Sequence, residues 1–248
     1  MDENAGEKSL REAHRILDER LPARARIYEA GGGSASSLPA VRVSESDITV
    51  VDIDHAQIRE NRYATSKILG DIQTYSFPPS SFDLVVCYNV IEHLSDPEKA
   101  IRLFHSALAP GGLMFIGAPV RDSFSGWATR VTPHWFHIQY YRWILKYASA
   151  GKPGSVPFPT VFHPIVTPRK LLELCNELGF QLVYFREYKG MIYANMAQRS
   201  PVLGKLLELA VSVANFFTSP GSDLRNGDFH LIVAKAPMTR TMDEQSER

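Results

Sequence analysis

The chain has 248 residues, with 27 basic and 27 acidic side chains, so no global field draws it onto nucleic acid or an anionic bilayer. Its 44% hydrophobic content can build a full core, which argues against a mainly disordered chain. Cys87 and Cys175 are the only cysteines, each inside apolar sequence; they read as buried thiols rather than a disulfide framework or a cysteine zinc site.

The N-terminus, MDENAGEKSLREAHR, has no apolar signal core, so the expected location is cytoplasmic. Residues 9–21 set Leu10, Ala13, Ile16, Leu17 and Leu21 at helical spacing behind Ser9 as the expected N-cap. RIYEAG then reads as a short strand, running straight into Gly31, Gly32 and Gly33. DITVVDID, residues 47–54, reads as a strand buried on both faces. HAQIRENR follows as a brief helix, KILGDI as a short strand, and FDLVVCYNV, residues 82–90, as the clearest strand of the chain. Asp96 and Pro97 open a helix that Gly111 and Gly112 are expected to close, and LMFIGAPV is a fifth strand. Thr167 and Pro168 open a further helix that ends at Gly179, and QLVYFREY and DFHLIVAKAP supply the last two strands. The polar tail from Met238 is expected to be disordered.

Strands and helices alternate over the first 120 residues, which predicts an α/β fold with a doubly wound, largely parallel sheet. Residues 121–166 and 190–227 break that alternation without a polar linker. They are expected to elaborate one end of a single domain, where loops of such length usually carry function. The stretch VLGKLLELAVSVANFF, residues 202–217, is too short for a membrane span and is interrupted by Lys205 and Glu208. Core burial is the leading expectation for the apolar residues from Met191 to Phe217, with a lipid-chain pocket or a homodimer face as alternatives.

Three glycines behind a buried strand need a reason, because glycine loses the most conformational entropy on folding. In a doubly wound sheet this turn lies where ligands bind, and bare backbone there lets a ligand approach. Asp52 ends the second strand 21 residues after Gly31, a station where a carboxylate accepts both hydroxyls of a ribose. Asp71, followed by apolar Ile72, suits an adenine ring. Glu29, before the glycines, would repel a pyrophosphate and tolerate an ammonium. The dinucleotide pattern G-x-G-x-x-G also fails at Ser36, and the spacing fits E-x-G-x-G-x-A instead.

In EAGGGSA, VVDID, GDI, FDLVVCYNVIEHL and LAPGGLMFIGAP, in this order, the sequence resembles the class I S-adenosylmethionine-dependent methyltransferases, in particular the small-molecule, quinone-biosynthesis-like group (methyltransferase types 11 and 23). The resemblance implies a mostly parallel seven-stranded sheet with an antiparallel last strand, a single methyltransferase domain over residues 1–237, and S-adenosyl-L-methionine as cofactor. It implies that Glu29, Gly31 and Gly33 face the methionine end, that Asp52 binds the ribose hydroxyls, that Ile53 is also a cofactor-binding residue, that Asp71 and Ile72 hold adenine, and that Asn89 lies beside the cofactor. The sequence departs from the family in one respect. Only 17 residues separate Ala35 from Asp52, with Pro39 among them, so the first crossover helix is expected to be short.

Methyl transfer asks a protein to align the acceptor, exclude water and, for a hydroxyl, remove a proton. His93 is the candidate base, against a plain packing role at the same place. His134 and His137, in the aromatic run TPHWFHIQYYRW, are candidates for orienting an acceptor. No cysteine or paired carboxylate nearby completes a zinc set with them, so no metal site is expected. His163 is a further pocket candidate, with a turn role as the alternative. The expected reaction is methyl transfer, preferentially to oxygen, on a small-molecule or lipid-like, partly apolar acceptor. Peripheral membrane contact is compatible with this reading and nucleic acid is not. The rivals are an NAD(P)-dependent oxidoreductase and a binding domain without turnover.

Overall fold

A computed structural model describes residues 4–143, 146–152, 155, 157–190, 201–216 and 223–237. Its strands, in chain order, are β1 (Arg26–Ala30), β2 (Asp47–Asp52), β3 (Ser66–Leu69), β4 (Phe82–Tyr88), β5 (Leu108–Pro119), β6 (Phe180–Lys189) and β7 (Asn226–Lys235). They form one seven-stranded sheet in the order β3-β2-β1-β4-β5-β7-β6. β1 to β5 run parallel, and β7 is antiparallel to both β5 and β6. The winding therefore reverses between β1 and β4, which is where a doubly wound sheet opens a crevice.

Eight helices are described: α1 (Ala5–Arg20), α2 (Ala40–Glu45), α3 (His55–Glu60), α4 (Pro97–Ala107), α5 (Phe124–Val131), α6 (His134–Trp143), α7 (Pro168–Glu177) and α8 (Pro201–Phe216), with a 3-10 turn at Ile91–His93. Successive strand residues face opposite sides of the sheet. Val85 accordingly joins one core, with Ile101 and Phe104 of α4 and Leu171 and Leu174 of α7. Its neighbour Val86 joins the other, with Ala13 and Leu17 of α1. Both valines are buried, which is why the strand reads as an unbroken apolar run. Cys87 and Cys175 are free and buried, as expected.

Several boundaries differ from the sequence reading. Helix α1 starts earlier, because Asn4 and Glu7 form a capping box, with the Glu7 amide 2.9 Å from Asn4 Oδ1. Ser9 is therefore not the cap; it lies inside the helix, with its hydroxyl 2.8 Å from His230 Nδ1. Helix α4 has the expected Asp96 cap but ends at Ala107 rather than at the glycines. β5 starts at Leu108, and the register shift beside it falls where Gly111, at φ +80°, supplies the bulge. The short crossover helix appears as α2, of six residues.

The core expectation for residues 202–217 is corrected where α8 is described. Gly204 and Val211 face inward, whereas Leu206, Leu209, Val213 and Phe216 are exposed. One face of this helix is seated and the other is bare. Met191, Ile192, Met196, Phe217 and the tail from residue 238 lie outside the described residues. Among the described residues no helix is long and apolar enough to cross a membrane.

Candidate functional site

The crevice is built at the carboxyl ends of β1, β2 and β4. The Gly31 amide donates to Val51 O at 2.8 Å, extending the β1–β2 ladder by one bond before the chain turns away. Gly31 and Gly33 then adopt φ +69° and +52°, a region closed to most side chains. Space closes the same positions. A Cβ on Gly31 would lie 2.6 Å from Val90 Cγ1, and one on Gly33 would lie 2.8 Å from Gln57 Oε1.

The turn is clamped from the β2 side. Asp52 Oδ2 accepts from the Gly33 amide at 3.0 Å and Oδ1 from the Asp54 amide at 2.8 Å. Gln57 Oε1 accepts from the Ser34 amide at 2.8 Å, and Asn61 Nδ2 donates to Gly33 O at 2.6 Å. Gln57 and Asn61 were missed by sequence reasoning; their only signal is their position in HAQIREN, directly after the acidic strand end. Burial pushes the Asp52 carboxyl up, against those amide bonds. The Ile53 amide acts on the same carboxylate, and the two oxygens together keep capacity for a ligand hydroxyl.

Glu29 departs from expectation. It is buried, and both oxygens are used internally: Oε1 accepts from the Ser36 hydroxyl, and Oε2 lies 2.6 Å from the Tyr63 hydroxyl, itself 3.0 Å from Gly32 O. Burial pushes its carboxyl up, with the Ser36 and Tyr63 bonds opposing. The expectation that Glu29 faces a ligand is therefore corrected: an acid on this face of β1 points under the turn and fastens it. Tyr63→Phe should leave Oε2 buried without a partner and cost about 1–3 kcal/mol in urea denaturation; a loss below about 0.5 kcal/mol would show that the clamp contributes little.

Of the two apolar candidates, Ile53 is 75% exposed beside Asp52, while Ile72 is buried in the core with Ile91 and Leu94. Only Ile53 offers an open apolar wall, so the expectation for Ile72 is corrected as well. Asp71, half-buried at the end of β3, accepts from the Gln73 amide at 2.8 Å. Asn89 is exposed at φ +54°, its amide donating to Gly117 O at 2.7 Å. A left-handed asparagine at a strand end is a strained position of the kind found at functional sites.

Beyond β4, the 3-10 turn carries Glu92 and His93. His93 Nδ1 lies 2.7 Å from Pro159 O and Nε2 lies 3.7 Å from Glu92 Oε1. The Glu92 carbonyl accepts from the amides of Val161 and Phe162, at 3.0 and 2.9 Å, and Arg121 Nε donates to Phe162 O at 3.0 Å. Residues 159–162 are thereby tied across the β4 end. Burial lowers the His93 pKa and keeps the ring neutral near pH 7.

Two carboxyls here were not legible in the sequence. Glu92 is buried, with Oε2 lacking any hydrogen-bond partner, and burial pushes it up to about 8. Asp228 opens β7 opposite Pro119 and Tyr188, and burial pushes it up to about 6. Asp228 adds to the Glu92 shift, and both act on Tyr141 of α6, which places the three groups near one another.

His134 and His137 stand apart from His93. Their rings are 6.1 Å apart, and His137 Nε2 lies 2.7 Å from Thr132 Oγ1, so their resolved contacts stay within residues 121–166. His163 Nδ1 accepts from the Ile165 amide at 3.3 Å, which is a turn role. His230 joins Ser9 to Tyr88 and Tyr188, at 2.8, 3.1 and 3.0 Å, linking α1 to three strands.

A glycine turn clamped by a strand-end aspartate, on a sheet whose last strand alone is reversed, defines a Rossmann-like methyltransferase fold. The profile of the family described as "Methyltransferase domain" matches residues 1–184, and the chain belongs to that family. A protein of Mycobacterium tuberculosis named as a probable S-adenosylmethionine-dependent methyltransferase is 28% identical over 133 residues, covering 51% of this chain and 48% of that protein. The chain thus spans about half the length of that curated relative. A ubiquinone biosynthesis O-methyltransferase of Neisseria meningitidis is 24% identical, covering 74% of this chain and 65% of that protein. The solved structure of an S-adenosylmethionine-dependent methyltransferase from Methanosarcina mazei is a likeness of fold, with TM-score 0.55 at 18% identity over 90% of this chain and 98% of that one.

Proposed function

We propose that the chain transfers a methyl group from S-adenosyl-L-methionine to a hydroxyl of a small, partly apolar acceptor. The observation that carries this reading is the bare Gly31–Gly33 turn held by Asp52, with free lone pairs on the carboxylate and the open Ile53 face beside it. Ribose hydroxyls suit Asp52, the adenine face suits Ile53, and the exocyclic amine suits Asp71. The methionine end would lie along the Gly31–Gly33 turn, with Asn89 alongside. Phosphates would meet Asp52 and Asp71 as like charges, which disfavours a pyridine dinucleotide.

When bound, the cofactor supplies an activated methyl carbon. The chain's task is to seat the acceptor, shed water and take one proton. His93 fits that last role. Donation from Nδ1 to the Pro159 carbonyl fixes the tautomer and leaves the lone pair on Nε2. His134 and His137 would act through α6, orienting the acceptor under residues 121–166, which we read as a lid on one catalytic domain. The O-methylation named for the Neisseria relative supports oxygen as the receiving atom.

Calorimetry tests the cofactor assignment. S-adenosylhomocysteine should bind, and Asp52→Ala should weaken binding by about 1.5 kcal/mol or more, roughly tenfold, through loss of charge-assisted bonds. Unchanged affinity removes Asp52 from the site. Binding of NADH with no response to S-adenosylhomocysteine would overturn the reading in favour of an oxidoreductase.

A further inference from the structure

The chain has three tryptophans, Trp127, Trp135 and Trp143, and all fall within residues 121–166. They are 54%, 64% and 76% exposed. A large apolar side chain bare to water is commonplace singly, but a cluster of them marks a contact surface. On α5, Trp127, Arg130 and Val131 are exposed at i, i+3 and i+4, and so share one face. On α6, Trp135, Phe136, Arg142 and Trp143 are exposed at i, i+1, i+7 and i+8, while His137, Ile138 and Tyr141 are half-buried on the other side. Tyr147 and Val161, in the same segment, are exposed as well.

Charge indicates what covers it. Residues 121–166 carry Arg121, Arg130, Arg142, Lys146 and Lys152 against the single acid Asp122, in a chain that is neutral overall. Asp122 is engaged with Arg121 at 2.9 Å and faces Arg130 at 4.0 Å. Among the described residues no ion pair neutralises Arg142, Lys146 or Lys152. A second copy docked by the same face would set these cations against their own counterparts. Nucleic acid would gain nothing from Val131 and Val161. Exposed tryptophan beside lysine and arginine matches the interfacial zone of a bilayer whose headgroups are anionic.

We propose that α5 and α6 dock this protein on an anionic lipid surface, with the three tryptophans seated among the headgroups and Arg142, Lys146 and Lys152 facing the lipid phosphates. The docked face adjoins the crevice, because the segment that carries exposed Val161 is bonded to Glu92 and His93. A partly apolar acceptor could then pass from the bilayer to the site without crossing water. The docking does not depend on the methyl-transfer reading, and its test uses no turnover.

Since every tryptophan is exposed on α5 or α6, the intrinsic fluorescence of the unmodified protein reports on these two helices directly. With vesicles of phosphatidylcholine and phosphatidylglycerol, the full chain should float with the lipid, its emission should shift to the blue, and lipids brominated on the acyl chain should quench it. Phosphatidylcholine alone should bind about tenfold or more weakly. Trp135→Ser with Trp143→Ser should weaken binding about tenfold or more, and Arg142→Glu with Lys146→Glu should abolish the preference for phosphatidylglycerol; unchanged circular dichroism confirms that both variants fold. Failure to float with anionic vesicles overturns the proposal. Flotation without quenching overturns the seating of the tryptophans. A blue shift that grows with protein concentration in the absence of lipid, with dimers in sedimentation, would assign the face to a second copy and overturn it too.

Discussion

Gly31→Ala is expected to abolish S-adenosylhomocysteine binding and to destabilise the chain by about 2–5 kcal/mol in urea denaturation. Two costs combine. A side chain at φ +69° pays about 1–2 kcal/mol for the left-handed backbone. The added Cβ would also lie 2.6 and 2.7 Å from the two γ-carbons of Val90, and overpacking of that kind costs about 1–3 kcal/mol. The strain falls on the turn that Asp52 clamps, so the site is lost before the fold is. Two controls separate the costs. Gly111→Ala has φ +80° but meets nothing within 4 Å, so it should lose only about 1–2 kcal/mol and bind normally. Val90→Ala combined with Gly31→Ala should recover the steric part of the loss. If Gly31→Ala and Gly111→Ala prove equivalent, close approach at Val90 is not what requires the glycine.

The parts of this site that could be read in the sequence are those with a local cause. A glycine run after an apolar strand has few causes besides a tight turn or the close approach of a ligand, and Asp52 announces itself by ending an unbroken run of strand residues. The reversal of the last strand came instead from the ordered set of motifs, since neither strand pattern nor length carries strand direction. Residues whose roles depend on partners distant in sequence stayed hidden. Ser9 looked like a cap because serine favours that place, yet its partner His230 is 221 residues away and only the antiparallel β7 brings it to α1. Glu29 looked like a ligand contact because its position was right; the face of β1 it occupies is decided by the alternation that buries Tyr28 in the other core. The aromatic run of residues 132–143 suggested an acceptor pocket, yet Trp135 and Trp143 are exposed; α6 carries apolar residues all round, and its side chains alone cannot select the face that packs.

Glu92 and Asp228 extend the same point into energetics, since β7 brings residue 228 to the end of the sheet where the 3-10 turn places residue 92. Both carboxyls are held toward the neutral form by burial, and each makes ionisation of the other harder. The Val161 and Phe162 amides meet on the Glu92 carbonyl, which fixes the backbone from which the buried side chain projects. A buried acid with a free oxygen at the mouth of a crevice is a cost to stability that the fold tolerates.

That cost sets the pH dependence, and Glu92→Gln should remove it. The Glu92 carboxyl is raised from 4.5 to about 8, so between those values the folded chain holds a proton that the unfolded chain has released. Stability contributed by this group is complete below pH 4.5 and is lost as pH rises toward 8, at no more than about 1.4 kcal/mol per pH unit. Asp228, raised from 3.8 to about 6, acts with the same sign at lower pH. His230 acts oppositely: burial lowers it from 6.5 to about 4, so its contribution is complete above pH 6.5 and is lost as pH falls toward 4. These opposing slopes offset one another below pH 6.5, and above it Glu92 alone of the three still titrates. Urea denaturation should show the wild-type chain losing about 2 kcal/mol between pH 6.5 and 8. Glu92→Gln keeps the shape without the ionisation, and Asp228 is the one other carboxyl coupled to it, so above pH 6.5 the difference between the two stability curves isolates residue 92. That difference should open steadily from pH 4.5 to 8 in favour of the variant. Parallel curves would mean that Glu92 ionises at its ordinary pH and that solvent or a partner reaches its unbonded oxygen.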